Sequence, residues 1–342
     1  MNRSAEQLPG VRITKDDEAV FFQVWRRRLI TADDLYRLYP TRSAEKFSKR
    51  LKLLCTARYL WLMDLKGTGI RLREGRGANP RVFALDYRGA QYLSRTLGIE
   101  IVEEKWHTKN SSLAWKNVPH TLGVTEFMVS HELATRRYPT TRLVEFDELL
   151  KKAPSKTRAQ PQPERFRTRV RWNGEDRDEG IMPDEILSLH NTQSVRGDRQ
   201  MYYLYEEDNG NETIVPGAQV RNSERFFRQS SYLRKFVLYH YAFQNDVAQK
   251  WFGFPKAFRV LHRTTSRERM ENMQAAFRQY MMPPPINASA GMNLFVCRET
   301  YDEYADDVLS IPWENEKGRV YYIDNRRLDE NPLKNADSSS DN

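Results

Sequence analysis

The chain has 342 residues, 39% of them hydrophobic and 30% charged, with 16 Phe, 17 Tyr and 7 Trp, a length and composition that predict two domains with ordinary apolar cores. Its mean hydropathy is −0.77, no apolar run approaches the ~20 residues that a bilayer span requires, and the first residues lack an apolar signal segment. A soluble, cytoplasmic protein is therefore expected. Only two cysteines are present, Cys55 and Cys297; far apart and in apolar surroundings, they support neither a thiolate zinc site nor a disulfide framework and read as small buried hydrophobes. The net charge is +9, and between Arg42 and Arg81 eleven basic residues face three acids, a local net of +8. So concentrated a positive field is the footprint of a polyanion partner, most often nucleic acid.

Residues 12–99 predict a winged helix-turn-helix. Thr14 reads as an N-cap followed by Asp16 and Asp17 in the first turn, where acids suit the positive helix end. Val20, Phe21, Val24 and Trp25 then recur at helical spacing. Thr31 caps a second helix, Ala32 to Tyr39, which Pro40 stops. Ser43 caps a third, Ala44 to about Ala57, with Phe47, Leu51 and Leu54 as its apolar stripe. Lys46, Lys49, Arg50 and Lys52 fall on its other faces, as in a recognition helix. Two strands, Tyr59–Leu65 and Arg81–Leu85, flank a glycine- and arginine-rich tip with Arg71, Arg73 and Arg76, which reads as a basic wing. The candidate DNA contacts are thus Lys46, Lys49, Arg50, Lys52, Arg71, Arg73, Arg76 and Arg81. A helix from Tyr87 to Thr96, ended by Gly98, closes the unit. The competing reading is a protein-binding module with a solvated basic face.

Residues 100–117 read as a polar linker. A second domain is expected over 118–325, opening with a helix from Thr121 to about Arg136 in which Glu126 interrupts the apolar line Leu122, Val129, Leu133. A strand is expected at Arg142–Phe146. Lys151–Thr168, with three prolines and six basic residues, reads as a mobile loop. Further strands are expected at Arg169–Trp172, Gly180–Leu189 and Gln200–Asp208, then a long helix, Ser223–Gln244, a strand from Phe258 to His262, and a helix from Ser266 to Tyr280. A strand at Asn293–Cys297 and a helix at Tyr301–Leu309 follow. Residues 326–342 have the composition of a disordered tail.

Two acidic fragments carry the chemistry. Pro183-Asp184 heads one strand, and Glu206-Glu207-Asp208 closes the next. Side chains alternate along a strand, so Glu206 and Asp208 share a face. Carboxylates that converge repel one another unless a hard divalent cation sits between them. A strand beginning at an aspartate beside one ending in a carboxylate pair is the layout of a restriction-endonuclease-like α/β sandwich, in which Mg²⁺ or Mn²⁺ activates water against a phosphodiester. The expected ligands are Asp184 and Glu206, with Glu126 as a possible third. In that fold a lysine stands two residues beyond the glutamate. Here Asp208 holds that place, as a further ligand or as a sign that the cationic role has moved to Lys235, with Arg228 two turns earlier on the same face. Each of these residues also has a plain structural reading: a boundary glutamate, a strand-start aspartate, an acidic turn, a snorkelling lysine.

Ile13-Thr14-Lys15-Asp16-Asp17-Glu18, Leu29 to Leu35, Val82 to Ala90, His120 to Glu126, Pro183-Asp184, Glu206 to Gly210, Leu233-Arg234-Lys235 with Tyr239, and Phe258 to Met270 together resemble the replication-relaxation family of plasmid and mobile-element proteins. Some of its members are conjugative relaxases on a restriction-endonuclease-like core. The resemblance implies Glu126, Asp184, Glu206, Asp208 and Lys235 as the site. It departs by an insertion between Gly210 and Leu233. The six histidines include no two separated by a single residue, which leaves the histidine-metal class of relaxase unsupported.

The expected function is binding of double-stranded DNA, at an origin of transfer or replication, and metal-dependent nicking of one strand, with accessory mobilisation proteins as further partners. The alternatives are a non-catalytic DNA-binding regulator and a scaffold that recruits a partner through its basic face.

Overall fold

The computed structural model describes residues 10–40, 43–65, 79–99, 101, 117–255, 257–284, 286, 288 and 290–326. The chain is of the α/β class and divides into two compact units, Met1–Val129 and Ser130–Asn342. The expected wing arginines Arg71, Arg73 and Arg76, nearly all of the expected linker, and the tail from residue 327 on lie outside the described residues.

In the first unit, helix α1 (Lys15–Arg27) starts on a reciprocal cap. The Thr14 hydroxyl accepts from the Asp17 amide, and the Asp17 carboxylate accepts from the Thr14 amide at 2.8 Å, so two orphan donors are satisfied at once. Strand β1 (Ile30–Thr31) leads into α2 (Ala32–Leu38), capped by Thr31, and α3 (Ala44–Thr56) is capped by Ser43. Phe47, Leu51 and Leu54 of α3 are buried, as its apolar stripe requires. Strands β2 (Leu60–Leu62) and β3 (Val82–Leu85) form with β1 an antiparallel sheet in the order β1-β3-β2. Helix α4 (Tyr87–Leu97) ends on Gly98, whose φ of +65° is the left-handed conformation that glycine adopts without a Cβ clash.

Helix α5 (Val118–Arg137) runs through the division between the units. Its Val118 and Leu122 join an apolar cluster with Leu29, Met63, Leu65, Val82 and Ala84. The Thr125 hydroxyl donates to the Leu29 carbonyl at 2.8 Å. The opening turns of this helix therefore pack with the N-terminal elements, and the chain divides within the helix and not ahead of it.

The second unit is built on a seven-stranded mixed sheet. Its strands in chain order are β4 (Thr141–Glu145), β7 (Glu185–Ser194), β8 (Gly197–Glu207), β9 (Phe258–Thr264), β10 (Asn293–Cys297), β11 (Trp313–Glu314) and β12 (Val320–Tyr321), and their spatial order is β12-β11-β10-β9-β8-β7-β4. β4, β7 and β8 pair antiparallel, whereas β8, β9 and β10 are parallel, and parallel neighbours need crossovers. Helix α10 (Tyr232–Gln244) lies in the first crossover and α12 (Arg267–Tyr280) in the second. They bring Phe236 and Phe277 edge to face, 5.3 Å between ring centres, over the sheet residues His262 and Phe295.

Four expectations change here. Lys151–Thr168 is ordered: helices α6 (Phe146–Lys152) and α7 (Ser155–Arg158) occupy its start, the Thr157 hydroxyl donates to the Trp251 carbonyl, and the Trp251 indole donates to the Pro163 carbonyl at 2.8 Å. The expected strand Gly180–Leu189 is two strands, because Pro183 has no N–H to extend a ladder. Before it, β6 (Glu175–Ile181) pairs only with β5 (Phe166–Trp172) in a separate hairpin, turned by Asn173 and Gly174 at φ +51° and +82°. A short helix α8 (Ala218–Arg221) precedes the expected helix Ser223–Gln244, which is itself broken into α9 (Arg225–Arg228) and α10, because Ser231 stops the run and caps α10 by accepting from the Arg234 amide. Helix α11 (Val247–Phe252) follows α10, and in place of the expected helix Tyr301–Leu309 stand α13 (Arg298–Glu303) and a separate 3-10 turn at Val308–Ser310.

Candidate functional site

The head of β7 and the end of β8 meet at Asp184. Its amide donates to the Tyr205 carbonyl at 3.0 Å, and its carboxylate accepts from the Glu207 amide at 2.9 Å. Asp184 thus closes the ladder where two neighbouring strands stop, and it is half-buried. Alternation along β8 then sends Glu206 toward α10 and Glu207 to the opposite side, where its partners are the β-strand residues Tyr205 and Arg263.

Glu206 is 1% exposed. One of its oxygens accepts from the Tyr239 hydroxyl, and the other lies 2.8 Å from the Lys235 ammonium. Burial pushes its carboxyl up to about 7; the Lys235 charge opposes that shift and the like charge of Asp184 adds to it. The same ammonium stands 2.8 Å from Glu212. Burial alone would lower Lys235, but Glu206, Glu212 and Asp184 outweigh it and raise the ammonium above its ordinary value. Lys235 therefore bridges two carboxylates as a fixed positive charge, and the Arg228 once paired with it in sequence instead meets Glu224 at the surface, 3.6 Å away.

The other two acids of the run each have a guanidinium. Arg263 grips Glu207 bidentately at 2.9 and 3.0 Å and stacks over Tyr301, 4.5 Å from the ring centre. Arg269 grips Asp208 at 2.5 and 3.0 Å, while the Thr264 hydroxyl and the Gly210 amide fill the remaining lone pairs of that carboxylate. Asp208 does share a side of the chain with Glu206, as alternation requires, but its oxygens are committed to Arg269 and Thr264. Between these groups stands Tyr232, fully buried, with Lys235 4.8 Å and Arg269 6.0 Å from its ring centre.

Glu126 belongs to the first unit. There its charge, after burial, helps to raise the Asp34 carboxyl against the pull of Thr31 and Arg37. Among the described residues no group of three His, Cys, Asp or Glu side chains is arranged to hold a metal ion. Carboxylate oxygens are the donor type of a hard cation, and at Glu206 and Glu212 the Lys235 ammonium already stands between them. Glu212, Arg263 and Arg269 were not singled out from the sequence. The two arginines carried a usable signal: each falls in or beside an otherwise apolar strand or helix face, where a cation needs a carboxylate partner.

On α3, Lys46, Lys49 and Lys52 are exposed, and Lys49 pairs with exposed Glu45 at 2.7 Å. Arg50 is different: its guanidinium is tied to Asp17 at 2.5 and 2.9 Å and to the Arg12 carbonyl at 2.7 Å. It braces α3 against α1 and is thereby removed from a groove-facing set. Arg81 donates to the Ser48 hydroxyl at 2.9 Å.

No helix among the described residues is long and apolar enough to cross a membrane. No curated protein and no solved structure matches the chain. A family model described as Replication-relaxation matches residues 24–249, which contain α3 and its lysines together with Asp184, Glu206, Glu212 and Lys235. The chain belongs to the replication-relaxation family, and its role accordingly lies in plasmid or mobile-element replication or mobilisation.

Proposed function

We propose that the chain binds DNA through a winged helix in its first unit and nicks one strand at the Asp184–Glu206–Lys235 site of a restriction-endonuclease-like second unit. The observation that carries this reading is the meeting of Asp184 and buried Glu206 at the ends of adjacent strands, with the Lys235 ammonium 2.8 Å from Glu206. The element order in the second unit supports it: a helix, antiparallel strands, a crossover helix and a parallel strand. In the first unit, α2 and α3 followed by a β-hairpin have the order of a winged helix, with three exposed lysines on α3 as phosphate contacts.

Asp184 and Glu206 would hold a Mg²⁺ or Mn²⁺ ion. Bound there, such an ion supplies an activated water and neutralises charge on the phosphate. Glu206 is held by Tyr239, so its carboxylate is fixed in direction before any ligand arrives. Lys235 offers a positive charge that remains protonated at any working pH and can stabilise charge developing on a phosphodiester. While it spans Glu206 and Glu212, it also keeps these acids from repelling one another.

The test is nicking of a supercoiled plasmid that carries a candidate origin, in the presence of Mn²⁺. Wild-type protein should relax the plasmid, and Asp184→Ala and Glu206→Ala should each abolish relaxation. Unchanged nicking in both variants, or none by the wild type, removes the catalytic assignment. A second reading, a DNA-binding regulator without catalysis, is favoured by one observation: Asp208, in the place of a nuclease lysine, is locked to Arg269 and Thr264. A regulator retains DNA in chelator and shows no metal affinity that depends on Asp184 or Glu206.

A further inference from the structure

Strand β5 reads Phe166-Arg-Thr-Arg-Val-Arg-Trp172 and separates its residues cleanly by face. Phe166, Thr168 and Val170 are buried, whereas Arg167, Arg169 and Arg171 are exposed. The inner face is fixed by aromatic packing, Phe166 against Phe252 at 5.6 Å and Trp172 stacked on Phe226 at 4.7 Å. The hairpin therefore cannot turn its arginines inward. Arg165 continues the outer row, its guanidinium lying over Gly180 of β6, where no side chain intervenes. Four arginines at every second residue make a ladder with rungs about 6.8 Å apart, or about 20 Å from first to last.

Across the ladder, the register places Asp178 opposite Arg169 and Asp176 opposite Arg171. Arg167 reaches Asp178 at 2.6 Å and Arg169 reaches Asp176 at 2.8 Å, and all four side chains of these pairs are about half or more exposed. Exposed pairs of this kind are weak and exchange readily for a stronger anion. Arg165 and Arg171 have no acidic side-chain partner among the described residues. The face thus carries four guanidinium groups and two aspartates, and the aspartates hold the middle two rungs in place.

The hairpin is coupled to the candidate site. β6 runs through Met182-Pro183 directly into Asp184, and Arg234, the neighbour of Lys235, donates to the Gly180 carbonyl at 3.1 Å. Each DNA strand carries one phosphate per ~3.4 Å of helix axis, so the ladder matches the axial rise of about six phosphates. The exposed row is made of guanidinium groups at a regular repeat, which suits the repeating charge of a phosphate backbone.

We infer that the outer face of the β5–β6 hairpin is a sequence-independent track for a DNA strand, delivering it to the Asp184 end of the sheet. This rests on the reading of the chain as a DNA-binding protein, and it adds a second contact surface in the second unit. The experiment measures affinity of the full chain for a fluorescent single-stranded oligonucleotide across a salt series. It compares wild type, a ladder variant (Arg165→Gln, Arg167→Gln, Arg169→Gln and Arg171→Gln together) and an α3 variant (Lys46→Ala, Lys49→Ala and Lys52→Ala). The ladder variant should bind more weakly, with the slope of log affinity against log salt reduced by about 0.7 for each phosphate that is no longer neutralised. Its melting temperature should stay at the wild-type value, since the replaced groups are exposed. Unchanged affinity and slope in the ladder variant, with the α3 variant weakened, overturn the track and leave the DNA reading in place. If wild type binds no oligonucleotide and no plasmid, both fall. Ladder-dependent capture of an acidic polypeptide in place of DNA also overturns the track.

Discussion

Glu206 and its neighbours show how much chemistry hangs on single side chains at the end of β8. Because burial pushes Glu206 up from 4.5 to about 7, the native protein keeps a proton there that the unfolded chain has already released between those pH values. Native stability attributable to this group therefore falls as pH climbs through that window. Glu206→Gln abolishes the titration, so the melting temperature of the variant should gain on that of the wild type from about pH 5 to about pH 8. A difference that stays constant across that range refutes the assignment. Arg263 holds Glu207 in the buried side of the sheet. With side chains only 1% and 6% exposed in the Arg263–Glu207 pair, Arg263→Ala strands a buried carboxylate and should cost about 3–5 kcal/mol in chemical denaturation. Replacing both partners together, Arg263→Met with Glu207→Leu, should recover most of that loss. Failure of the double variant to improve on the single one would mean that the guanidinium acts through some other group, such as the Tyr301 ring.

At the scale of elements, caps and apolar stripes made the first unit readable. Thr14, Thr31 and Ser43 each cap the helix they were expected to cap, and Gly98 ends α4 in the left-handed conformation. The second unit was harder, for identifiable reasons. β6 is Glu-Asp-Arg-Asp-Glu-Gly-Ile, a sequence with almost no strand former, and it pairs because β5 supplies the apolar face and the Asn173-Gly174 turn sets the register. Residues 151–168 look polar and proline-rich, yet Trp251, bonded to Thr157 and Pro163, holds them from a distance that no local pattern displays. Ser231 was hidden inside an otherwise continuous helical period. Its hydroxyl accepts from the Arg234 amide and so aims the first turn of α10, which carries Lys235. Ser231→Ala should therefore lower stability by about 1 kcal/mol, seen as a lower urea midpoint with an unchanged slope; no shift would show that the cap is dispensable. As for the site, Asp184, Glu206 and Lys235 were legible as a group, whereas Glu212 was not, because it sits in the loop after β8, where periodicity says nothing.

For the whole molecule, the charge distribution has resolved into separate surfaces. The N-terminal excess seen in the sequence includes Lys46, Lys49 and Lys52 on the open side of α3, but it also includes Arg50 and Arg58, which are bound to Asp17 and Asp86. Net charge alone therefore overstates the number of groups available to a polyanion. Replacing the three exposed lysines with alanine should lower duplex affinity and reduce the salt slope by up to about 0.9 for each lysine that touches phosphate. Arg50→Ala should instead show up first as instability of the first unit, in thermal melts without DNA. An Arg50 variant that folds as stably as the wild type but loses DNA would reverse that ranking.

The three consecutive acids at the end of β8 also set an order of events during synthesis. Asp208 meets Arg269 across 61 positions and Glu207 meets Arg263 across 56, so a ribosome that has just released β8 has made the anions but none of their counterions. The local β7–β8 hairpin can close early, yet its tip must stay in water until the crossover helix and then β9 arrive. A nascent chain halted after α11 would hold Lys235 against Glu206 but leave the two neighbouring carboxylates bare. Docking of α12 after the parallel β8–β9 pairing is thus the step that completes the counterions, and chains stalled before it should be recognisable by an uncompensated acidic edge.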